Sequence, residues 1–103
     1  MLKMKEKIKP LEEIEEKDEL AKIGRELANK EQYKEAIEYL EKALQKDPKD
    51  IQILNSLGFA NGRSGKYEKA KEWYKKALEI EPKFQKALGN IGHVFEMEGN
   101  YEE

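Results

Sequence analysis

Three groups of residues recur along this chain at a fixed spacing of 34 positions. Leu20, Ile23 and Gly24 return as Leu54, Leu57 and Gly58, then as Leu88, Ile91 and Gly92. The stretches between them match too. Tyr33 and Ala36 pair with Tyr67 and Ala70, Leu40 and Ala43 with Tyr74 and Ala77, and Pro48 with Pro82. A strict period of this length means stacked supersecondary units, each burying its apolar face against its neighbours. Few other folds are open to such a chain.

Within each unit the apolar spacing reads as two helices. Leu20, Ile23, Gly24 and Leu27 fall three to four residues apart on one face, and Ala36, Leu40, Ala43 and Leu44 do so on a second. Between them lie turn-forming stretches, 29–32 in one unit, 62–65 in the next and Gly99-Asn100 in the third. Pro48 and Pro82 end the second helix of their units, since proline lacks an N–H and disfavours helix just before it. Gly24 with Ala36, and Gly58 with Ala70, let paired helices approach closely.

Composition agrees. Ala, Glu, Lys, Leu and Arg supply 57 of 103 residues, while there is one valine and no threonine, which excludes a β-rich fold. Charged residues make up 41% of the chain, yet the net charge is only −2, so disorder from self-repulsion is not expected. The near balance also gives no overall pull toward nucleic acid or anionic lipid. Abundant Lys and Glu match heat-adapted proteins. No apolar run approaches the length of a membrane span, the first ten residues are too charged for a signal peptide, and the cytoplasm is the expected location.

The inventory argues against an enzyme. Without cysteine there is no thiolate nucleophile or thiolate metal site, hydroxyl nucleophiles are limited to Ser56 and Ser64, and His93 is the sole imidazole. The acidic run Glu12, Glu13, Glu15, Glu16 lacks the Asp/Asn-Gly pattern of a calcium loop and reads as a solvated face. Gly58, Gly62 and Gly65 do not follow a strand, so they are no phosphate loop. No cofactor and no metal are expected.

At this level of detail the chain resembles the tetratricopeptide repeat family. The first unit, 17–50, carries its pattern at Leu20, Ile23, Gly24, Leu27, Ala36, Leu40, Ala43 and Pro48. The second, 51–84, carries it at Leu54, Leu57, Gly58, Ala70, Tyr74, Ala77 and Pro82, and departs at Asn61, where a large apolar residue belongs. The third, 85–103, supplies Leu88, Ile91, Gly92 and Phe95 and reads as the first helix of an incomplete repeat. Residues 1–16 do not fit the period. Leu11 and Ile14 would prolong the first helix backwards from Pro10, or the segment is a charged tail.

The resemblance implies an all-α fold, antiparallel helix-turn-helix repeats in a right-handed α-solenoid, and a non-catalytic protein-interaction scaffold. The first helix of each repeat would line a concave groove for a peptide or partner helix. That places Lys22, Arg25, Asn55, Ser56, Phe59, Lys86, Asn90 and His93 in the candidate site. Family members that clamp chaperone carboxylates use Lys, Asn and Arg at set positions. Here only Lys86 matches, with Ala21, Arg25, Ser56 and Asn90 at the others. These departures count against such a clamp and leave an acidic peptide of looser sequence as the candidate ligand. The competing reading is that these residues are simply a solvated helix face.

A second expectation concerns the third unit. Leu88, Ile91, Val94, Phe95 and Met97 are too many apolar residues to hide against the second unit alone, which predicts self-association as a homodimer, helix exchange or stack. The stretch 61–65 would then serve as a hinge. RNA, a third candidate partner, is disfavoured by the neutral charge and sparse groove aromatics.

Overall fold

A computed structural model of the chain describes residues 9–102, with side chains to residue 99. The start of the N-terminal extension, before residue 9, and Glu103 lie outside the described residues, as do the side chains of the third tyrosine stretch. A short 3₁₀ turn, Leu11–Glu13, precedes five helices: α1 (Lys17–Asn29), α2 (Tyr33–Lys46), α3 (Ile51–Arg63), α4 (Tyr67–Ile80) and α5 (Gln85–Glu102). There is no strand among the described residues. Helices α1 and α2 pair, α3 and α4 pair, and α5 packs on α4 and α3. The fold is an all-α helical repeat solenoid.

The boundaries follow from local chemistry. Helices α1 and α3 end in the same way 34 residues apart, with one residue in the left-handed region: Glu31 at φ 64° and Gly65 at φ 88°. The next N–H reaches back across the turn, Gln32 N to Leu27 O at 2.9 Å and Lys66 N to Asn61 O at 2.8 Å, which satisfies a terminal carbonyl. Helices α2 and α4 stop at Asp47 and Glu81, each followed by proline.

Glycine sets the closeness of each pair. A Cβ on Gly24 would lie 2.6 Å from Leu40 Cγ, and one on Gly58 only 2.4 Å from Tyr74 Cε1. Neither helix could pack as it does with any larger residue there. Around these notches run two apolar clusters. One joins Leu20, Ile23, Leu27, Leu40, Ile53 and Leu57; the other joins Leu54, Tyr74, Phe84, Ala87 and Val94.

The N-terminal segment differs from the expectation that it prolongs α1. Ile14 is extended, with φ −102° and ψ 121°, and 1% exposed. Continuing α1 backwards would stack Glu12, Glu13, Glu15 and Glu16 three and four residues apart, where like charges repel. Residues 9–16 instead form a strap on α2. Tyr39 Oη donates to Lys9 O at 2.9 Å, Lys42 Nζ to Leu11 O at 2.9 Å, and Lys46 Nζ reaches Glu15 at 2.8 Å. The period, moreover, does run through the strap in space. Pro10 and Leu11 line a cavity with Glu35 and Tyr39 as Leu44 and Gln45 line one with Lys69 and Trp73, all four pairs offset by 34. The strap stands against α2 where α2 stands against α4.

Candidate functional site

Arg25, Ala28 and Asn29 from α1, Asn55, Ser56 and Phe59 from α3, and Asn90 from α5 enclose one cavity of about 240 Å³. Three helices from three units thus contribute to one site, because their inner faces come into register every 34 residues. Asn90 Nδ2 donates to Asn55 Oδ1 at 3.1 Å, tying α5 to α3 across the cavity. The lining holds one guanidinium, three side-chain amides and one hydroxyl, and no carboxylate. Donors of this kind, with Phe59 and Ala28 as apolar surface, suit an anionic or carbonyl-rich ligand.

Phe59 is half-buried. It packs against the first apolar cluster while lining both the main cavity and a smaller one of about 40 Å³ beside it. The Arg63 guanidinium stands 5.7 Å from its ring centroid. Asn61 itself fills the place where the repeat pattern has a large apolar residue. Asn61 is 2% exposed, and its amide donates to Leu57 O at 2.8 Å, so the buried polar group is satisfied within its own helix.

Of the residues expected from sequence, the structure brings Arg25, Asn55, Ser56, Phe59 and Asn90 together. His93 lines only the smaller cavity, and its Nδ1 is turned toward Glu96 at 3.6 Å. Lys22 and Lys86 are exposed and line neither. Sequence reasoning passed over Arg63, although its place four residues after Phe59 puts it on the same helix face.

The expected self-association face divides in two. Val94 is buried at 2% exposure, and Ile91 and Met97 are half-buried against the second cluster. These three therefore do not belong to an open face. Leu88 and Phe95 remain, 43% and 52% exposed. Helices α4 and α3 both pack on α5 and cover Val94 fully and Ile91 and Met97 in part. The stretch 61–65 is knit by Ser64 N to Ala60 O at 3.2 Å, Ser64 Oγ to Asn61 O at 3.0 Å and Gly65 N to Gly62 O at 3.1 Å, besides the Lys66 bond.

Two larger cavities lie elsewhere, one of about 440 Å³ beneath the strap and one of about 430 Å³ between α2 and α4. They are the same packing gap repeated at one period, which makes them a property of the stack. Burial, followed by Glu12, Glu35 and Glu38, raises the pKa of the Tyr39 phenol in the first of them. Among the described residues, no three His, Cys, Asp or Glu side chains are grouped to hold a metal ion, and no helix is long and apolar enough to cross a membrane.

Compared with known families, the sequence matches the Tetratricopeptide repeat over residues 51–84 and the TPR repeat over residues 24–65. No curated protein matches the chain.

Proposed function

Since the chain belongs to the tetratricopeptide repeat family, whose repeats mediate protein–protein interaction, we propose that it holds an extended acidic peptide in the cavity between α1, α3 and α5. The observation that carries this reading is the composition of that cavity. Its only charged side chain is Arg25, its other polar groups are neutral donors or donor–acceptors, and its carboxylate count is zero. A peptide carboxylate would meet the Arg25 guanidinium, which binds such groups through two parallel hydrogen bonds. The amides of Asn29, Asn55 and Asn90 would take peptide N–H and C=O groups, and Phe59 an apolar side chain. Lys22 and Lys86 stand outside the cavity and would act on encounter rate more than on the bound state.

The test is titration of labelled acidic and basic peptides of equal length, followed by anisotropy. Acidic peptides should bind better, and Arg25→Glu should weaken them by about tenfold or more, the scale of a charge-assisted hydrogen bond lost. Equal affinity for both peptides, or for wild type and Arg25→Glu, would sink the proposal.

A further inference from the structure

The two largest cavities share a place in the stack and differ in charge. In the gap between α2 and α4, Lys69 stands one turn before Trp73 and holds its ammonium 5.5 Å from the ring centroid, while Glu41 gives the lining its one carboxylate. One period earlier, Glu35 has the position of Lys69, and Tyr39 has that of Trp73. The cavity beneath the strap is lined by Glu12, Glu35 and Glu38 and by no lysine, arginine or histidine. None of the three carboxylates enters an ion pair among the described residues. Lys42, one turn after Glu38, turns to the strap instead, 2.9 Å from Leu11 O and 3.8 Å from Glu15. Glu35 and Glu38 are neighbours on the surface of α2, so their charges repel with nothing paired to offset them. Between the carboxylates the walls are apolar and fixed. Leu27 is buried, Leu11 and Tyr39 are half-buried, and the bond from Tyr39 Oη to Lys9 O ties the strap down beside them.

We propose that this cavity, of about 440 Å³, takes an arginine side chain of a partner peptide. The gap itself belongs to the stack, but its charges do not, and the second repeat shows what the first lacks. There the chain supplies its own cation to the aromatic residue; here that position is a carboxylate, and the cation must come from outside. Arginine has both parts the cavity calls for. Its methylene stem can lie along Leu11 and Leu27, and its guanidinium pairs with carboxylates through parallel hydrogen bonds while favouring an aromatic neighbour. Lysine would bring the charge without the paired bonds. This site shares no lining residue with the groove and selects the opposite charge. One cavity holds one side chain, so its binding is weaker than peptide capture in the groove.

The probe is a short Gly-Ser peptide with a single arginine, titrated into the full chain and followed by amide chemical shifts. Saturable shifts are expected at Leu11, Glu12, Glu35 and Glu38. The same peptide with citrulline, a neutral analogue of arginine, should bind about tenfold or more weakly. The decisive variant is Glu35→Lys, which installs what the second repeat already carries at this position. It should abolish binding and leave the helical fold intact. Glu12→Gln/Glu38→Gln removes two exposed, unpaired carboxylates, so it should melt with wild type yet weaken binding about tenfold or more. Absence of saturable shifts, equal affinity for the citrulline peptide, or binding indifferent to Glu35→Lys overturns the proposal. Shifts centred on Asn55, Phe59 and Asn90 would do the same, because the peptide would then lie in the groove. So would binding that appears only once Lys3, Lys5 and Lys7 are replaced by Ser, for the occupant would then be the chain's own first residues.

Discussion

The helix pairs α1/α2 and α3/α4 are built on one template and filled with different residues. Both have glycine at the crossing, but Leu40 covers Gly24 while the larger Tyr74 covers Gly58. Three residues further along, the first pair has Leu27 and the second has Asn61, so volume falls on one helix where it rises on the other. Both pairs turn through a left-handed residue, glycine in the second and Glu31 in the first. Their entries differ as well. Asp50 caps α3 by accepting from Gln52 N at 3.0 Å and Ile53 N at 3.2 Å, whereas Glu16 caps α1 with no side-chain bond. Tyr39 finds an acceptor in the strap, whereas the equivalent Trp73 buries an indole N–H with no acceptor among the described residues. Geometry is shared at the crossing and the turn; the rest is open to substitution wherever volume and polar groups balance.

The glycines give the largest expected contrast. Gly58→Ala drives a methyl into the Tyr74 ring, which is rigid and 2% exposed, and should cost about 2–3 kcal/mol, near the upper range for overpacking. Gly24→Ala meets a leucine that can turn, so about 1–2 kcal/mol is expected. Denaturant melts would check the order; a Gly24 variant worse than the Gly58 variant would break the comparison.

The caps come next. Asp50→Ala removes a cap and one of the two carboxylates that accept from Lys17, for an expected loss of about 1–2 kcal/mol, while Glu16→Ala should cost little. The Asp50 effect carries a pH signature. Burial by itself would raise the Asp50 carboxyl, but the hydrogen bonds from Lys17 and from Ile53 N outweigh it and hold its pKa below the usual value. Its contribution is therefore complete above the unfolded-state value near about 3.9 and disappears as pH falls through the lower folded value. The gap in stability between wild type and Asp50→Ala should close on acidification, and a gap independent of pH would contradict this.

The turns give effects of opposite sign. Glu31→Gly relieves a left-handed non-glycine residue and should stabilise by up to about 1 kcal/mol, whereas Gly65→Ala should destabilise by about 1–2 kcal/mol. Thermal melts of the two variants, run side by side, would show it.

The repeat period, both glycine notches and most of the residues that line the cavity between α1, α3 and α5 were legible in the sequence, because each depends on residues at fixed spacing within one helix. What escaped depended on neighbours. The strap was missed because Leu11 and Ile14 sit one period before Gln45 and Pro48: the positions correspond while the residue types do not. Val94 was assigned to an open face because helical spacing shows that α5 is apolar on more than one side, but not which side α4 covers. Lys22 and Lys86 have the right phase for the groove, yet phase does not say whether an exposed side chain turns into a cavity. Asn61 read as a defect because its acceptor is a backbone carbonyl one turn back, which no side-chain pattern records.

Amide chemical shifts followed during titration with an acidic peptide test the groove most directly. Perturbations should concentrate at Arg25, Ala28, Asn29, Asn55, Ser56, Phe59 and Asn90, with the strap and the α2–α4 gap silent, and should vanish in Arg25→Glu. Shifts centred on Leu11, Tyr39 or Trp73, or a groove pattern that survives Arg25→Glu, would contradict the account.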